Sequence, residues 1–244
     1  MQKRFARPGP IYLQVADELE SAIARRPPGT ELPSENELAR THRVSRLTAR
    51  ASLDELERRY LVHRTQGKRT LVSRRIPYRI GPDRTPSWSE SVRASGATPR
   101  SQTVRLQLRN PPRAIRALLQ LGPNRRALFL SRIRFVDDEI AACADTWLVP
   151  ELVPMFAERM QHDASLHETL ARTFDLAPVR SWSQAEFIFA PASIAERLGK
   201  EGRPMVLKLT GVSSSKKLGR PIETTTSWLR ADVFNIVFEM GVPE

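Results

Sequence analysis

Two helix-start signals that lie close together near the N-terminus constrain the fold most. Ser34 is followed three residues later by Glu37, the spacing of a capping box, in which each side chain binds the other residue's backbone N–H. Ser45 is a second N-cap candidate, so a further helix is expected from Arg46 to about Tyr60. The apolar stripe of that helix consists of Ala49, Leu53 and Leu56. Two capped helices separated by so short a segment have the layout of a helix-turn-helix.

The segments on either side of this pair extend the pattern. Before it, apolar residues recur at every fourth position and predict an amphipathic first helix. These residues are Ile11, Val15, Leu19 and Ile23. After it, residues 61–65 and 70–72 have the pattern of two short strands around Gln66-Gly67-Lys68-Arg69, where the glycine permits a tight turn and the tip is basic. We therefore predict a winged helix-turn-helix over residues 1–72.

The balance of charge favours a polyanionic partner. The net charge is +12, and residues 40–75 concentrate 11 basic against 3 acidic side chains. The single cysteine, Cys143, cannot form an internal disulfide, and no apolar run approaches the ~18 residues of a membrane span. We expect a cytoplasmic protein that binds nucleic acid and has no membrane partner.

The remainder of the chain divides into a linker and a second domain. Residues 73–86 mix Pro, Gly and charged residues, a composition typical of linkers. From residue 87 to residue 244, alternating strand and helix patterns predict an α+β domain with several hairpins. The predicted strands are 102–108, 127–136, 139–148, 181–189, 205–214 and 223–229, and the predicted helices are 112–121, 166–174 and 192–198.

Several motif blocks in the predicted order carry a resemblance to a known family. Residues 10–72 closely resemble the winged helix-turn-helix of the GntR superfamily, through Leu32-Pro33-Ser34-Glu35, Val44-Ser45-Arg46, Leu53-Asp54-Glu55-Leu56 and Gln66-Gly67-Lys68. The rest of the chain resembles the ligand-sensing UTRA domain of the HutC branch, and looks most like the phosphonate-metabolism regulators of that branch. The segments that carry this second resemblance are Arg132-Ile133-Arg134, Ser165-Leu166-His167, Pro221-Ile222-Glu223 and Arg230-Ala231-Asp232. The resemblance implies a repressor, in which the second domain has a chorismate-lyase-like mixed α/β fold with an antiparallel sheet.

The predicted recognition helix places its polar side chains opposite the apolar stripe. Arg46 and Arg50 are each suited to a bidentate contact with guanine, and Ser45 and Thr48 to phosphate. The predicted DNA-binding residues are Asn36, Ser45, Arg46, Leu47, Thr48, Arg50, Gln66, Gly67, Lys68 and Arg69. Asn36 stands where the family often has arginine, and Leu47 where it often has a small hydroxyl residue, so the operator sequence is expected to differ.

A candidate effector site follows from the second domain. Strand alternation places Arg132 and Arg134 on one face, where two guanidiniums repel each other unless an anion or carboxylates lie between them. By resemblance, this pair holds a phosphate-like group, and the full predicted site is Ser89, Arg132, Arg134, Asp145, Ser165, His167, Glu223 and Arg230. Asp145 and Glu223 would accept hydrogen bonds at the ligand's other end, while Arg230 either binds ligand or pairs with Asp232. Sugar-phosphate sensors of the branch tend to have tyrosine in place of Leu229, which favours a smaller phosphonate or phosphate ester.

We expect a homodimer on a pseudo-palindromic operator, because one short recognition helix gives too little contact for specific binding. The sequence has no GxGxxG, P-loop, HExxH or GxSxG motif, so no catalytic residues, cofactor or metal are predicted. Three alternatives remain at this stage. They are an architectural DNA-binding protein that ignores metabolites, a lyase-like enzyme, and the all-helical metal-binding branch of the same superfamily.

Overall fold

The computed structural model describes residues 9–24, 26–64, 69–73, 75–81, 87–160 and 164–239. The chain forms two compact units, Met1–Arg75 and Ile76–Glu244. Together the described residues contain eight α-helices and ten strands, so the all-helical alternative is wrong and the α+β prediction is confirmed. No helix among them combines the length and apolar content that a bilayer crossing requires.

The first unit has three helices and a short antiparallel hairpin. They are α1 (Ile11–Ile23), α2 (Glu35–His42), α3 (Arg46–Arg58), β1 (Val62–His63) and β2 (Leu71–Val72). The predicted capping box is present, because the Ser34 backbone N–H donates to Glu37 Oε2 at 2.7 Å and the Glu37 N–H donates to Ser34 Oγ at 3.3 Å. Helix α3 ends two residues before Tyr60, whose φ of 58° is left-handed and cannot continue a helix.

The core of the first unit is formed where the three helices meet. Its fully buried side chains include Val15, Leu38, Ala49, Leu53 and Leu56, so the apolar stripe expected on α3 faces inward. Arg59 reinforces the contact between α1 and α3, since its guanidinium donates to Glu55 at 2.8 Å, to Asp17 at 2.7 Å and to Glu20 at 2.6 Å.

The second unit is built on a six-stranded antiparallel sheet. Its strands are β4 (Pro99–Arg109), β5 (Ala127–Val136), β6 (Glu139–Leu148), β7 (Pro178–Phe189), β8 (Met205–Ser215) and β9 (Arg220–Arg230). Their order in the sheet is β4-β5-β6-β9-β8-β7, so β4 and β7 form its two edges. The bounds of β5 and β6 match the prediction at both ends, and the other four strands extend one to three residues beyond it.

A second, two-stranded sheet covers part of the large one. It pairs β3 (Ile76–Ile80) with β10 (Phe234–Phe238) in parallel. The prediction of a linker over residues 73–86 is wrong for Ile76–Ile80, because Ile76 and Tyr78 are buried against Trp88, Leu209 and Leu229. Pro77 lies within this short strand, and because proline cannot donate a backbone hydrogen bond, its presence argues against a strand when only the sequence is considered.

The helices of the second unit lie on the faces of the large sheet. They are α4 (Trp88–Ala94), α5 (Arg113–Leu118), α6 (Phe156–Arg159), α7 (Leu166–Arg172) and α8 (Ala192–Arg197). A 3₁₀ turn, Pro150–Leu152, connects β6 to α6. Helices α5, α7 and α8 were predicted with slightly longer bounds, whereas α4 and α6 have no counterpart among the predicted elements.

Candidate functional site

One side of α3 is exposed and carries the side chains expected to enter a DNA groove. Leu47 is 77% exposed, and Arg46 and Arg50 are exposed beside it. The opposite side of the helix is packed into the core through Leu53 and Leu56. The exposed side of α3 thus carries two guanidiniums and one apolar side chain, a combination that suits guanine edges and a thymine methyl group.

Contacts within the unit hold the beginning of α3 in place. Ser45 Oγ accepts from the Thr48 N–H at 3.0 Å and lies 2.8 Å from Thr48 Oγ1. Arg46 Nε donates to Glu35 Oε2 at 3.2 Å, and the Arg46 side chain is still 71% exposed. Glu35 also accepts from Arg64 Nη2 at 3.0 Å, so one carboxylate positions an arginine of the recognition helix and an arginine of the hairpin.

The remaining DNA-binding predictions divide by position. Asn36 is exposed on α2, and Arg69 is exposed and lies 3.4 Å from Glu31. Gln66, Gly67 and Lys68 lie outside the described residues. Sequence reasoning did not select Arg40 and Arg43, which are exposed on α2 and on the turn before α3. Their signal was the local excess of basic residues between Arg40 and Arg75.

A pocket in the second unit brings together five of the predicted effector residues. The empty volume at this pocket is about 470 Å³, part of which is open solvent. Its lining includes Ser89, Arg132, Arg134, Ser165 and His167, from α4, β5 and the start of α7. Tyr78, Trp88, Arg180, Thr225 and Ser227 complete much of the wall.

Small residues on the sheet create the room for this pocket. In the strand register, Arg132 on β5 lies opposite Ala144 on β6, which in turn lies opposite Ser227 on β9. Arg134 lies opposite Ala142 on β6. Gly211 on β8 is also part of the lining, and a Cβ built on it would overlap with the guanidinium of Arg180. The short side chains on β6 and β8 therefore leave space that long arginines from neighbouring strands occupy.

The pocket concentrates positive charge out of contact with solvent. Arg132 is 2% exposed, Arg134 is 6% exposed and the Arg180 side chain is 8% exposed. Burial and, to a smaller extent, the charge of Arg134 lower the pKa of Arg132 to about 9, against the opposing effect of Glu223. The Nε atoms of all three arginines are buried and have no hydrogen-bond partner among the described residues. Three buried guanidiniums with unpartnered Nε–H groups have the charge and the donors that a small anion would require.

One carboxylate, held by a neighbouring imidazole, balances part of this charge. Glu223 is fully buried, lies 3.6 Å from Arg180 Nη1 and 3.4 Å from His167 Nε2, and accepts from Thr225 Oγ1 at 2.5 Å. Burial alone would raise the pKa of Glu223, but the hydrogen bond with His167 and the charge of Arg180 outweigh it, and the pKa falls to about 2. Burial lowers the pKa of His167, so this imidazole is neutral at pH 7 and donates to Glu223.

Asp145 and Arg230 lie elsewhere, so the expectation that they share this pocket is wrong. Asp145 lies opposite Ser131 in the register of β5 and β6, so its side chain is on the face of the sheet opposite Arg132. There it accepts a hydrogen bond from Arg197 Nη2 at 2.9 Å. Arg230 donates to Asp232 at 2.6 Å and to the Ile140 carbonyl at 2.7 Å. It therefore forms the ion pair with Asp232 that was the expected alternative to ligand binding. Arg180, in contrast, was not predicted, because its place depends on a β-bulge and on Gly211 of the next strand.

Comparisons with known proteins agree with this two-unit organisation. Residues 11–72 match the bacterial regulatory proteins of the gntR family, and residues 94–235 match the UTRA domain. The HTH-type transcriptional repressor NagR of Bacillus subtilis (strain 168) is 27% identical over 237 residues, which cover 96% of each chain. The HTH-type transcriptional regulator GgaR of Escherichia coli (strain K12) is 25% identical over 237 residues, or 94% of this chain and 91% of that one.

The crystal structure of PhnF from Mycobacterium smegmatis has the same fold. It aligns with a TM-score of 0.66 and 25% sequence identity over 94% of this chain and 100% of that chain. NagR and GgaR are transcriptional regulators, which confirms the expectation that the chain is not an enzyme. Since the UTRA match alone spans more than half of the sequence, the chain belongs to the GntR-type bacterial transcriptional regulators that have a UTRA domain.

Proposed function

We propose that this regulator is a homodimeric repressor whose operator binding responds to a small anion with a phosphate or phosphonate group. One observation carries the proposal: the buried side chains of Arg132, Arg134 and Arg180 line one pocket, whereas Glu223, which contacts Arg180, is not among the lining residues. A bound anion would relieve the repulsion among the guanidiniums and satisfy their free N–H groups.

The chemistry of the pocket favours a ligand with one strongly anionic end. Arginine forks match the oxygens of phosphate and phosphonate, and Ser89 and Ser165 add hydroxyl donors. Glu223 and His167 lie at the other side of Arg180, where they suit a hydroxyl or amine group of the ligand. Leu229 belongs to the buried apolar cluster that includes the lining residues Tyr78 and Trp88, and it stands where sugar-phosphate sensors of the branch tend to have tyrosine, which favours a phosphonate or phosphate ester over a larger sugar phosphate.

The chain path offers a route from the pocket to the DNA-binding unit. Tyr78 lines the pocket, and its strand, β3, begins at the residue after Arg75, where the first unit ends. A ligand that shifts Tyr78 would therefore act on the segment that leads out of the DNA-binding unit. We expect a coupling of about 1–3 kcal/mol between effector and operator binding.

The first experiment tests DNA recognition. Operator fragments are selected from genomic DNA with the purified protein, and affinities are measured by fluorescence anisotropy. Replacing Arg50 by alanine is expected to weaken operator binding by about 5-fold to 150-fold, the worth of one bidentate guanine contact. Arg26→Ala removes an exposed arginine outside the helix-turn-helix and is the matched control. Equal affinity of R50A and R26A would remove Arg50 from the interface, and recovery of no fragment would contradict the repressor proposal.

The second experiment tests the effector. Thermal shifts are recorded with inorganic phosphate, methylphosphonate, glycerol phosphate and glucosamine 6-phosphate, followed by operator binding with each compound that stabilises the protein. We expect a phosphonate or a phosphate ester to give the largest shift, and R134A to lose that shift while it keeps operator affinity. If R134A responds as the wild type does, the anion binds outside this pocket.

A further inference from the structure

A stretch of sequence without acidic residues forms a basic surface outside the pocket. Residues 91–136 contain ten arginines and no Asp, Glu or Lys. Arg132 and Arg134 line the pocket, and Arg93 lies on α4. The other seven lie on β4, on α5 and in the loop before β5, and we call them the arginine edge: Arg100, Arg105, Arg109, Arg113, Arg116, Arg125 and Arg126.

Hydrogen bonds join the elements of the arginine edge into one surface. Arg126 Nη2 donates to the carbonyl of Leu108 on β4. Arg116 Nη1, on α5, donates to the carbonyl of Arg125 at 3.0 Å. Because these bonds connect β4 and α5 to the same loop, the charges of all three elements lie side by side.

Little negative charge neutralises this surface. In the part of the chain that the structure describes, Glu151 is the one carboxylate that forms an ion pair with the arginine edge, through Arg125. Arg105 and Arg113 are exposed, and the exposed Arg109 guanidinium lies 5.1 Å from the ring centre of Phe129. An arginine that rests on an aromatic ring is held in position while its charge stays accessible to a partner.

The dimensions of the arginine edge fit duplex DNA. Arg105 and Arg109 pair with Ser131 and Ala127, so both lie on the face of the sheet opposite Arg132. From Arg100 to Arg109 the edge strand spans about 30 Å at ~3.3 Å per residue, close to the ~34 Å of one turn of B-DNA. The sheet edge is therefore long enough to follow one turn of a phosphate backbone.

We propose that the arginine edge binds the phosphate backbone of duplex DNA as a second, sequence-independent contact in addition to that of the helix-turn-helix. The inference rests on the DNA binding proposed above for the first unit. Because both units belong to one chain, DNA held by the first is presented to the second at a high effective concentration. Arginine–phosphate contacts add affinity and salt dependence without adding base specificity.

Salt dependence tests this contact directly. The affinity of the full chain for a mixed-sequence duplex of about 40 base pairs is measured by anisotropy between about 50 and 200 mM salt. The variant R105Q/R109Q removes two phosphate contacts, each worth about 0.9 in the slope of log K against log salt concentration. We expect the slope to become shallower by about 1.8, so that the wild type loses about 12-fold more affinity than the variant over this range.

A matched control removes two exposed arginines elsewhere on the same unit. R203Q/R220Q changes the net charge equally and is expected to keep the wild-type slope. If loss of the Arg109 packing lowers the melting temperature, R105Q/R113Q replaces the double variant. Equal slopes for wild type, variant and control would overturn the inference. The inference would also be overturned if the only effect of the R105Q/R109Q substitutions were self-association in ultracentrifugation. Charged residues on an edge strand also prevent strand pairing between molecules, and that role would then explain them.

The variant R46A/R50A separates the two proposals. If it loses duplex binding while R105Q/R109Q behaves as the wild type does, the first unit alone binds DNA and the arginine edge does not. If R46A/R50A retains weak binding that the further change R105Q/R109Q abolishes, the second contact is supported. A wild-type chain that binds no duplex would overturn both proposals.

Discussion

Replacing Arg132 by methionine is expected to stabilise the anion-free protein and to abolish its response to anions. Burial lowers the pKa of Arg132 to about 9. A change of that size corresponds to a free energy of about 5 kcal/mol by which the folded protein disfavours the charged guanidinium. The folded chain therefore holds the Arg132 proton less tightly than the unfolded chain does. At pH 7 the guanidinium is charged in both states, so the penalty falls entirely on the folded state and decreases only above pH 9.

The observed gain will be smaller than this upper value. The substitution also removes a weak hydrogen bond, from Arg132 Nη1 to the Ala164 carbonyl at 3.4 Å. Apolar replacements of buried ionic groups are often neutral or stabilise proteins by about 1–4 kcal/mol, and we expect R132M to fall in the stabilising range because the charge of Arg132 is only partly compensated. At about 2–4 °C per kcal/mol, its melting temperature should exceed that of the wild type by at least about 2 °C.

The assay is a pair of thermal melts at pH 7, one in buffer free of phosphate and one with a phosphate titration. The wild type should gain about 2.7 kcal/mol when phosphate reaches about 100 times its dissociation constant, and R132M should gain nothing. Arg113→Met, at an exposed position, controls for the general effect of replacing arginine. A melting temperature of R132M below that of the wild type, without phosphate, would show that the buried charge is already compensated and would refute the reasoning.

Three further predictions concern the core and the pocket. Leu53→Ala, at a position that is 1% exposed in the first unit, should cost about 2–5 kcal/mol in a denaturant titration, whereas Leu47→Ala, 77% exposed on the same helix, should stay within about 0.5 kcal/mol. Because the pKa of Glu223 is lowered to about 2, its carboxylate stabilises the folded state above about pH 4.5, and this contribution disappears as the pH falls towards 2. The stability difference between wild type and Glu223→Gln should therefore shrink from pH 6 to pH 2.5, and a constant difference would contradict the assignment. Gly211→Ala should displace the Arg180 guanidinium and reduce the thermal shift with phosphate, while Gly199→Ala, another glycine of the second unit, should leave that shift unchanged.

The sequence predicted most accurately those elements whose signals are local. The capping box at Ser34 and Glu37 involves two side chains three residues apart, and the structure contains both of its bonds. The hairpin β5–β6 was predicted with correct bounds because both strands are long and a two-residue turn, Asp137-Asp138, lies between them. In each case the determining contacts lie close together along the chain.

The features that were missed depend on contacts between distant segments. Strand β3 pairs with β10, and Ile76 and its partner Phe234 are separated by more than 150 residues. A local sequence pattern therefore cannot predict this strand pairing. Asp145 was assigned to the pocket because strand register cannot be read from sequence, and register places its side chain on the face opposite Arg132. Arg180 was overlooked because a lone arginine on an edge strand has no distinct pattern until Gly211 lies beside it.

The parallel pairing of β3 with β10 has a consequence for biosynthesis. All residues of the first unit are available once Arg75 has left the ribosome, but β3 must wait for its partner, Phe234–Phe238. At ~5–20 residues per second, the delay is about 8–30 s, long compared with the folding time of a small helical domain. A newly made chain can thus attain a folded helix-turn-helix unit before its UTRA domain is complete.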